Sequence, residues 1–158
     1  MSSPLAIYLR NHEAAGQAGL DLARRVAGSH RRRPYAGDID QLVDDIAADL
    51  RSLREVMRRY RVQPDPKLAL ALRLGERVGR LKPNGAYLRR APLTDLIEIE
   101  GLLDAVRAKG AGWQALAAAA GDPVEVAEFE RLLARANAQA AVLVGVHRQV
   151  AAKTLDLG

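Results

Sequence analysis

The stretch that decides the fold is GDPVEVAEFERLLARANAQAAVLVGVHRQVAAK, residues 121–153. Its first three residues combine a glycine typical of a helix end, an aspartate typical of an N-cap and a proline typical of the first helical position. Apolar residues then return every three or four positions: Val126, Phe129, Leu133, Ala136, Ala140, Leu143, Val146 and Val150. This spacing places them on one face of an α-helix, so we expect a long helix from about 123 to 154.

Three other stretches show the same spacing, and they predict long helices over 5–27, 38–61 and 94–119. We expect the first helix to end at Gly28-Ser29. The second helix is expected to begin with Asp38 or Asp40 as its N-cap and to end at Pro64-Asp65-Pro66. Thr94 is expected to be the N-cap of the third. A shorter helix is predicted over 67–81. The predicted inward residues are Leu5, Leu9, His12, Gly16, Gly19, Ala23 and Val26 in the first helix, Ile39, Leu42 or Val43, Ile46, Leu50, Leu53, Met57 and Tyr60 in the second, and Leu96, Ile99, Leu102, Leu103, Val106, Trp113 and Leu116 in the third.

Composition and loop lengths indicate how these helices are joined. Apolar residues are 49% of the chain but aromatic residues only 4%, which favours an aliphatic, helix-rich core. Short loops join the first two and the last two long helices, so each pair is expected to be antiparallel. The predicted fold is all-α: an antiparallel four-helix bundle of two helical hairpins, with a long crossover that carries a short extra helix. We expect residues 1–158 to form a single domain.

Several classes of chemistry lack the residues they need. The chain has no cysteine, so disulfides and thiolate chemistry are excluded. Nucleotide-binding loops, nucleophile elbows and zinc-protease motifs are absent from the sequence. No secretory leader or membrane-spanning stretch is predicted, so we expect a cytoplasmic protein without membrane insertion. We expect no cofactor and no catalytic residue, and the sequence favours a protein that is not an enzyme.

The first predicted helix carries a resemblance. Its segment YLRNHEAAGQAGLDLARR, residues 8–25, resembles the start of small uncharacterised helical proteins of GC-rich bacteria. The helix order and the long crossover resemble the ferritin-like four-helix-bundle superfamily. In that superfamily, a di-metal site takes carboxylates from two helices and a Glu-x-x-His pair from each of the other two. No Glu-x-x-His occurs here, because Leu9, Ala27 and Val144 stand three residues before the three histidines. The resemblance therefore implies the bundle without its classical di-iron ligands.

A metal site with irregular ligands is the weaker alternative. It would draw on polar residues near the inward faces: Glu13, Asp45, Asp49, Glu100 and His147. The favoured interpretation is a histidine held by a hydrogen bond and carboxylates at the solvated edges of the helices.

A basic segment over 54–90 is the other unusual feature. It holds eleven basic and three acidic residues, a net charge of +8, while the rest of the chain carries −3. Anion binding would fall to Arg73, Arg77, Arg80, Arg89 and Arg90. The favoured interpretation is that these residues form a solvated face paired with acidic residues of neighbouring helices. A contact with another protein chain is less favoured, and the binding of an anionic ligand is least favoured.

These observations predict a non-enzymatic interaction or oligomerisation module, either a homo-oligomer or bound to a protein partner. Long helices with several leucines outside the main apolar stripe favour this function. The alternatives are a ferritin-like metal-binding or oxidase-type protein, and a binder of nucleic acid or another polyanion through the 54–90 segment. Nucleic acid is not favoured, because no known binding motif accompanies the arginines.

Overall fold

A computed structural model describes residues 3–68 and 92–155, which form α-helices and no strand. The four long helices are α1 (Pro4–His30), α2 (Ala36–Arg59), α3 (Pro92–Ala119) and α4 (Pro123–Leu155). The predicted all-α class is confirmed. The predicted helix over 67–81 lies outside the described residues, except for 67 and 68, which are helical.

The chain divides into two compact units, Met1–Arg89 and Arg90–Gly158. Helices α1 and α2 pack together in the first unit, and α3 and α4 in the second. We call these pairs the first and the second hairpin. A single domain and one four-helix bundle built from both hairpins stay predictions.

The turn between α1 and α2 differs from the predicted one. Helix α1 runs through Gly28 and Ser29 to His30, so the predicted end at Gly28-Ser29 is wrong. The Ser29 hydroxyl donates to the Arg25 carbonyl within the helix (3.0 Å), which is compatible with continued helix. Helix α2 begins at Ala36 with Tyr35 in the N-cap position and no side-chain cap, so the predicted caps Asp38 and Asp40 are also wrong. Asp38 lies instead in the first turn, where a negative charge suits the helix dipole.

Helix α2 ends earlier than its proline-rich flank predicts, because the backbone of Arg61 turns left-handed (φ 55°). The Val62 amide donates to the Met57 carbonyl (2.8 Å) and the Arg61 amide to the Arg58 carbonyl (3.0 Å). These two bonds define a Schellman motif, whose left-handed position is usually glycine. Val62 and Met57 are both buried, as the apolar contact of this motif requires. The predicted end at Pro64-Asp65-Pro66 is therefore wrong.

The core of the first hairpin follows the predicted stripes with a few changes. In α2, Leu42 is buried and Val43 only half-buried, while Tyr60 is exposed, so its predicted place in the core is wrong. In α1, Leu5, His12 and Gly16 are only half-buried. The buried residues of the two helices are Ala6, Leu9, Glu13, Ala14, Gly19, Leu20, Ala23, Val26, His30, Ile39, Leu42, Ile46, Asp49, Leu50, Leu53, Val56 and Met57.

The second hairpin matches its predicted core closely. All seven apolar residues predicted for α3 are buried. The Asp122 carboxylate accepts from the Val124 amide (3.0 Å), which confirms the predicted start of α4. In α4, the predicted core residues Phe129, Ala136, Leu143, Val146 and Val150 are buried, whereas Val126, Leu133 and Ala140 are only half-buried. Leu132, which was not predicted, is fully buried. Helix α3 begins at Pro92, so the predicted cap at Thr94 is wrong.

Close approach and ring stacking join α3 to α4. A Cβ added at Gly110 would meet the Ala136 Cβ at 3.6 Å, so the two backbones run close together here. One turn further along α3, the rings of Trp113 and Phe129 stack at 6.2 Å between centroids. These two contacts join the second half of α3 to the first half of α4.

Candidate functional site

A buried ion pair is the main polar feature of the first hairpin. Glu13 lies on α1 with only 4% of its side chain exposed, and Arg54 reaches it from α2. The Glu13 Oε1 accepts from Arg54 Nε (3.0 Å) and from Nη2 (2.6 Å). Arg54 Nη2 also donates to Gln17 Oε1 (3.0 Å), and Gln17 Nε2 donates to Asp21 Oδ1 (3.2 Å). We call Glu13, Gln17, Asp21 and Arg54 the Glu13–Arg54 cluster.

The cluster joins the two helices at one register. A carboxylate removed from water needs a partner, and Arg54 supplies one by crossing from α2. Any slip of α2 along α1 would separate these groups and leave Glu13 buried without its cation. Because two donors of a guanidinium occupy the same carboxylate oxygen, the arrangement suits structural pairing better than proton transfer.

Two of the histidines lie in α1 in different surroundings. His30 is fully buried at the turn, where its Nδ1 lies 2.9 Å from the Tyr35 hydroxyl. His12 is half-buried, and its ring lies 4.4 Å from that of Tyr8. Burial lowers the pKa of His12 below its ordinary value of 6.5, because the charged imidazole loses solvation.

The second hairpin has polar contacts near the surface and at the buried Gln139, and it also buries Asp95. His147 Nε2 lies 3.0 Å from Glu100 Oε1, and both side chains are partly exposed. Gln139 is buried on the core face of α4, and the Lys109 ammonium donates to its Oε1. Trp113 Nε1 is buried with no hydrogen-bond acceptor among the residues that the structure describes.

The five residues of the weak metal alternative have different surroundings. Glu100 and His147 contact each other, whereas Glu13 is paired with Arg54. Asp45 accepts from Gln41 (3.0 Å), and Asp49 is buried in α2. Within residues 3–68 and 92–155, no three or more histidine, aspartate or glutamate side chains gather closely enough to hold a metal ion. The described residues therefore do not fit the di-metal group of ferritin-like proteins.

The predicted anion-binding arginines Arg73, Arg77, Arg80, Arg89 and Arg90 lie outside the described residues. The described start of the basic segment shows intramolecular pairing instead. Arg54 is bound to Glu13, and Arg58 lies 3.7 Å from Glu55 on an exposed face of α2. The favoured interpretation of the whole segment stays a prediction, because most of its residues lie outside the described ones.

Large apolar side chains remain exposed on the second hairpin. Leu93 (40% exposed) and Ile97 (45%) lie one turn apart on α3, on the side opposite to Ile99. On α4, Val124 is 74% exposed, and Leu155, close to the other end, is 50% exposed. A side chain of this size left in water forgoes about 1.5–3 kcal/mol of burial free energy. Ile7 on α1 (51%) and Val142 on α4 (42%) are exposed as well, so both hairpins have such side chains.

Comparisons with known proteins found no match to this chain among protein families, curated proteins or solved structures. The resemblance to ferritin-like proteins therefore stays a prediction from the sequence. No helix within the described residues has the length and apolarity needed to cross a membrane.

Sequence reasoning missed the pairing of Glu13 with Arg54. Arg54 follows Leu53 of the predicted stripe, and Glu13 lies one turn after Leu9, so both positions border an apolar face. Opposite charges at the edges of two adjacent helices are a signal for such a pair, but only a known helix register identifies the partners. The contact of His30 with Tyr35 was missed because the helix was expected to end before His30.

Proposed function

We propose that this protein is a non-enzymatic helical interaction module that acts by binding a second copy of itself. The observation that carries the proposal is the outward exposure of Leu93, Ile97, Val124 and Leu155 on the second hairpin. Association would remove their apolar surface from water, and most homo-oligomers form by such self-complementary contacts. We place this function in the cytoplasm.

The chemistry of the described polar groups supports a binding role over catalysis. The Glu13–Arg54 cluster is internally paired, and the Glu100–His147 pair has no third titratable partner within the described residues that would form a metal group.

The test is the molar mass of the full chain over a concentration series by sedimentation equilibrium and light scattering. We expect a mass above the 17.1 kDa of one chain, rising with concentration. A mass that stays at one chain up to about millimolar concentration would contradict the proposal, because such an affinity is weaker than about 4 kcal/mol.

The two alternative functions remain proposals with tests of their own. A ferritin-like metal-binding protein would copurify with iron, manganese or zinc, which elemental analysis measures. A polyanion binder would bind a fluorescent single-stranded oligonucleotide with an affinity that falls as salt rises, because phosphate contacts release counterions.

A further inference from the structure

The outer face of α4 has the pattern of a helix that packs against another helix. Ten exposed residues follow each other at alternating spacings of three and four: Val124, Ala127, Arg131, Ala134, Ala138, Ala141, Gly145, Arg148, Ala152 and Leu155. This is the heptad spacing of the contact positions in a coiled coil. The core residues of α4, such as Phe129 and Leu143, lie on the opposite side, so the face is separate from the hairpin core.

We propose that two copies of this chain associate through this face, with their α4 helices antiparallel. The inference rests on the proposed function and names the surface that performs it. In this arrangement, each layer of the interface contains one residue of the first copy and a different residue of the second copy. The layers are Val124 with Leu155, Ala127 with Ala152, Arg131 with Arg148, Ala134 with Gly145, and Ala138 with Ala141.

The sizes of the side chains agree with this register. The two large apolar residues of the face, Val124 (74% exposed) and Leu155 (50%), meet each other at both ends of the interface. The centre consists of alanine and glycine, whose small side chains allow two helix axes to approach closely. A Cβ at Gly145 would meet nothing within 4 Å inside its own chain, so the space above it is open to a partner helix.

The charge distribution along α4 selects the antiparallel direction and a second copy as the occupant. Residues 122–130 contain four carboxylates and no basic residue, and residues 131–153 contain four Arg or Lys residues and no carboxylate. A parallel pair would bring like charges together. An antiparallel pair brings the exposed Glu130, which flanks the face of one copy, to the level of Arg148 of the other, so the face is complementary to itself.

The layer of Arg131 and Arg148 carries two positive charges. Glu128 and Glu130 lie within one turn of Arg131 on the same helix, and in the antiparallel register they reach the level of Arg148 of the second copy. Two carboxylates then meet two guanidinium groups at this level, and the layer is neutral as a whole. The symmetric pair contains this layer twice, once on each side of its centre.

Cysteine cross-linking tests the direction, because the natural chain has no cysteine. Ala127→Cys and Ala152→Cys variants are purified separately, mixed and oxidised. We expect the 127–152 disulfide between two chains in the mixture, and no rapid dimer in either variant alone. The two positions are about 37 Å apart along one helix at about 1.5 Å per residue, so an antiparallel pair keeps identical positions apart. A rapid 127–127 disulfide would overturn the antiparallel arrangement.

A charge at the centre of the face tests the location. Ala138→Glu would place two carboxylates close together across the two-fold axis, and we expect the dissociation constant to rise about tenfold or more. The matched control is Ala108→Glu on the exposed surface of α3, which we expect to leave association unchanged. Circular dichroism checks that both variants keep their helix content.

The outcomes separate this inference from the proposed function. A natural chain that never exceeds one chain's mass contradicts both. A natural chain that dimerises, yet forms no 127–152 cross-link and loses no affinity in Ala138→Glu, contradicts this interface alone. In that case a Leu93→Ser and Ile97→Ser double variant locates the contact on α3.

Discussion

The two hairpins are built from the same type of helix, yet different interactions specify their packing. The helices of the first hairpin bury three titratable side chains, Glu13, His30 and Asp49, whereas those of the second bury one among the described residues, Asp95, and the helices of the first are joined by the Glu13–Arg54 cluster. The second stacks Trp113 on Phe129 and brings Gly110 against Ala136. A buried ion pair therefore contributes to the register of the first hairpin, and close apolar packing contributes to that of the second. Four predictions test this difference.

The largest effect is expected for Phe129→Ala in the second hairpin. Phe129 is 1% exposed, and its removal leaves a cavity beside Trp113, so we expect a loss of about 3–5 kcal/mol in the free energy of unfolding. Urea unfolding followed by circular dichroism measures it, and the fluorescence of Trp113, the only tryptophan, reports the second hairpin separately. The exposed Gln149→Ala on the same helix is the control. A loss below about 1 kcal/mol would show that apolar shape does not specify this hairpin.

In the first hairpin, Arg54→Ala is expected to cost about 2–3 kcal/mol, because it leaves the Glu13 carboxylate buried without its cation. The partly exposed Arg54 keeps this below the cost of breaking a fully buried pair. His147→Gln, which removes the exposed pair with Glu100, is the matched control and should cost about 1 kcal/mol or less. Equal losses of unfolding free energy in the two variants would mean that burial of the Glu13–Arg54 ion pair has no energetic effect.

A smaller, stabilising effect is expected at the end of α2. Arg61 holds a left-handed backbone that glycine adopts without steric cost, so Arg61→Gly should raise the free energy of unfolding by about 1 kcal/mol. Arg58→Gly, three residues earlier and inside the helix, should lower it by about the same amount. Thermal unfolding of both variants measures the difference, and a stability that falls in Arg61→Gly would contradict the role of this turn.

The smallest effect is the pH dependence at His12. Burial lowers its pKa in the folded chain below 6.5, so the unfolded chain binds the proton more readily than the folded chain. The stability from neutral His12 is therefore fully present above about pH 6.5 and is lost as the pH falls through the lower, folded pKa. Urea titrations between about pH 7.5 and pH 5 should show a steeper loss in the natural chain than in His12→Gln. Parallel losses in the two proteins would mean that burial of His12 has no energetic consequence.

The accuracy of the sequence analysis differs between the helices. The apolar spacing of α3 identified all seven of its predicted core residues, and the Gly121-Asp122-Pro123 boundary identified the start of α4. In the first hairpin, the spacing placed Tyr60 in the core and left out Val56. The difference has a physical reason: periodicity reports apolar faces, while a buried glutamate or aspartate such as Asp49 interrupts the pattern from which the face is read.

The candidate sites show the same limit. The sequence singled out Glu13, Glu100 and His147 as polar residues near inward faces, and all three make specific contacts. It did not identify Arg54 as the partner of Glu13, since the two residues are far apart in the chain. Helix ends were predicted from glycine, proline and capping side chains, yet α2 begins without a side-chain cap and ends at a left-handed arginine. Such ends depend on backbone hydrogen bonds that side-chain identity does not reveal.

The sequence by itself determined the helical class, because helix-forming residues and the three-to-four spacing of apolar residues act locally along the chain. It also determined the opposite charges at the two ends of α4, which need no fold to be seen. The positions of Glu13 against Arg54 and of Gly110 against Ala136, and the outward direction of the heptad face of α4, are visible only in the folded chain. Those facts depend on how one helix is rotated and shifted against another, and that register arises from contacts between residues distant in the chain.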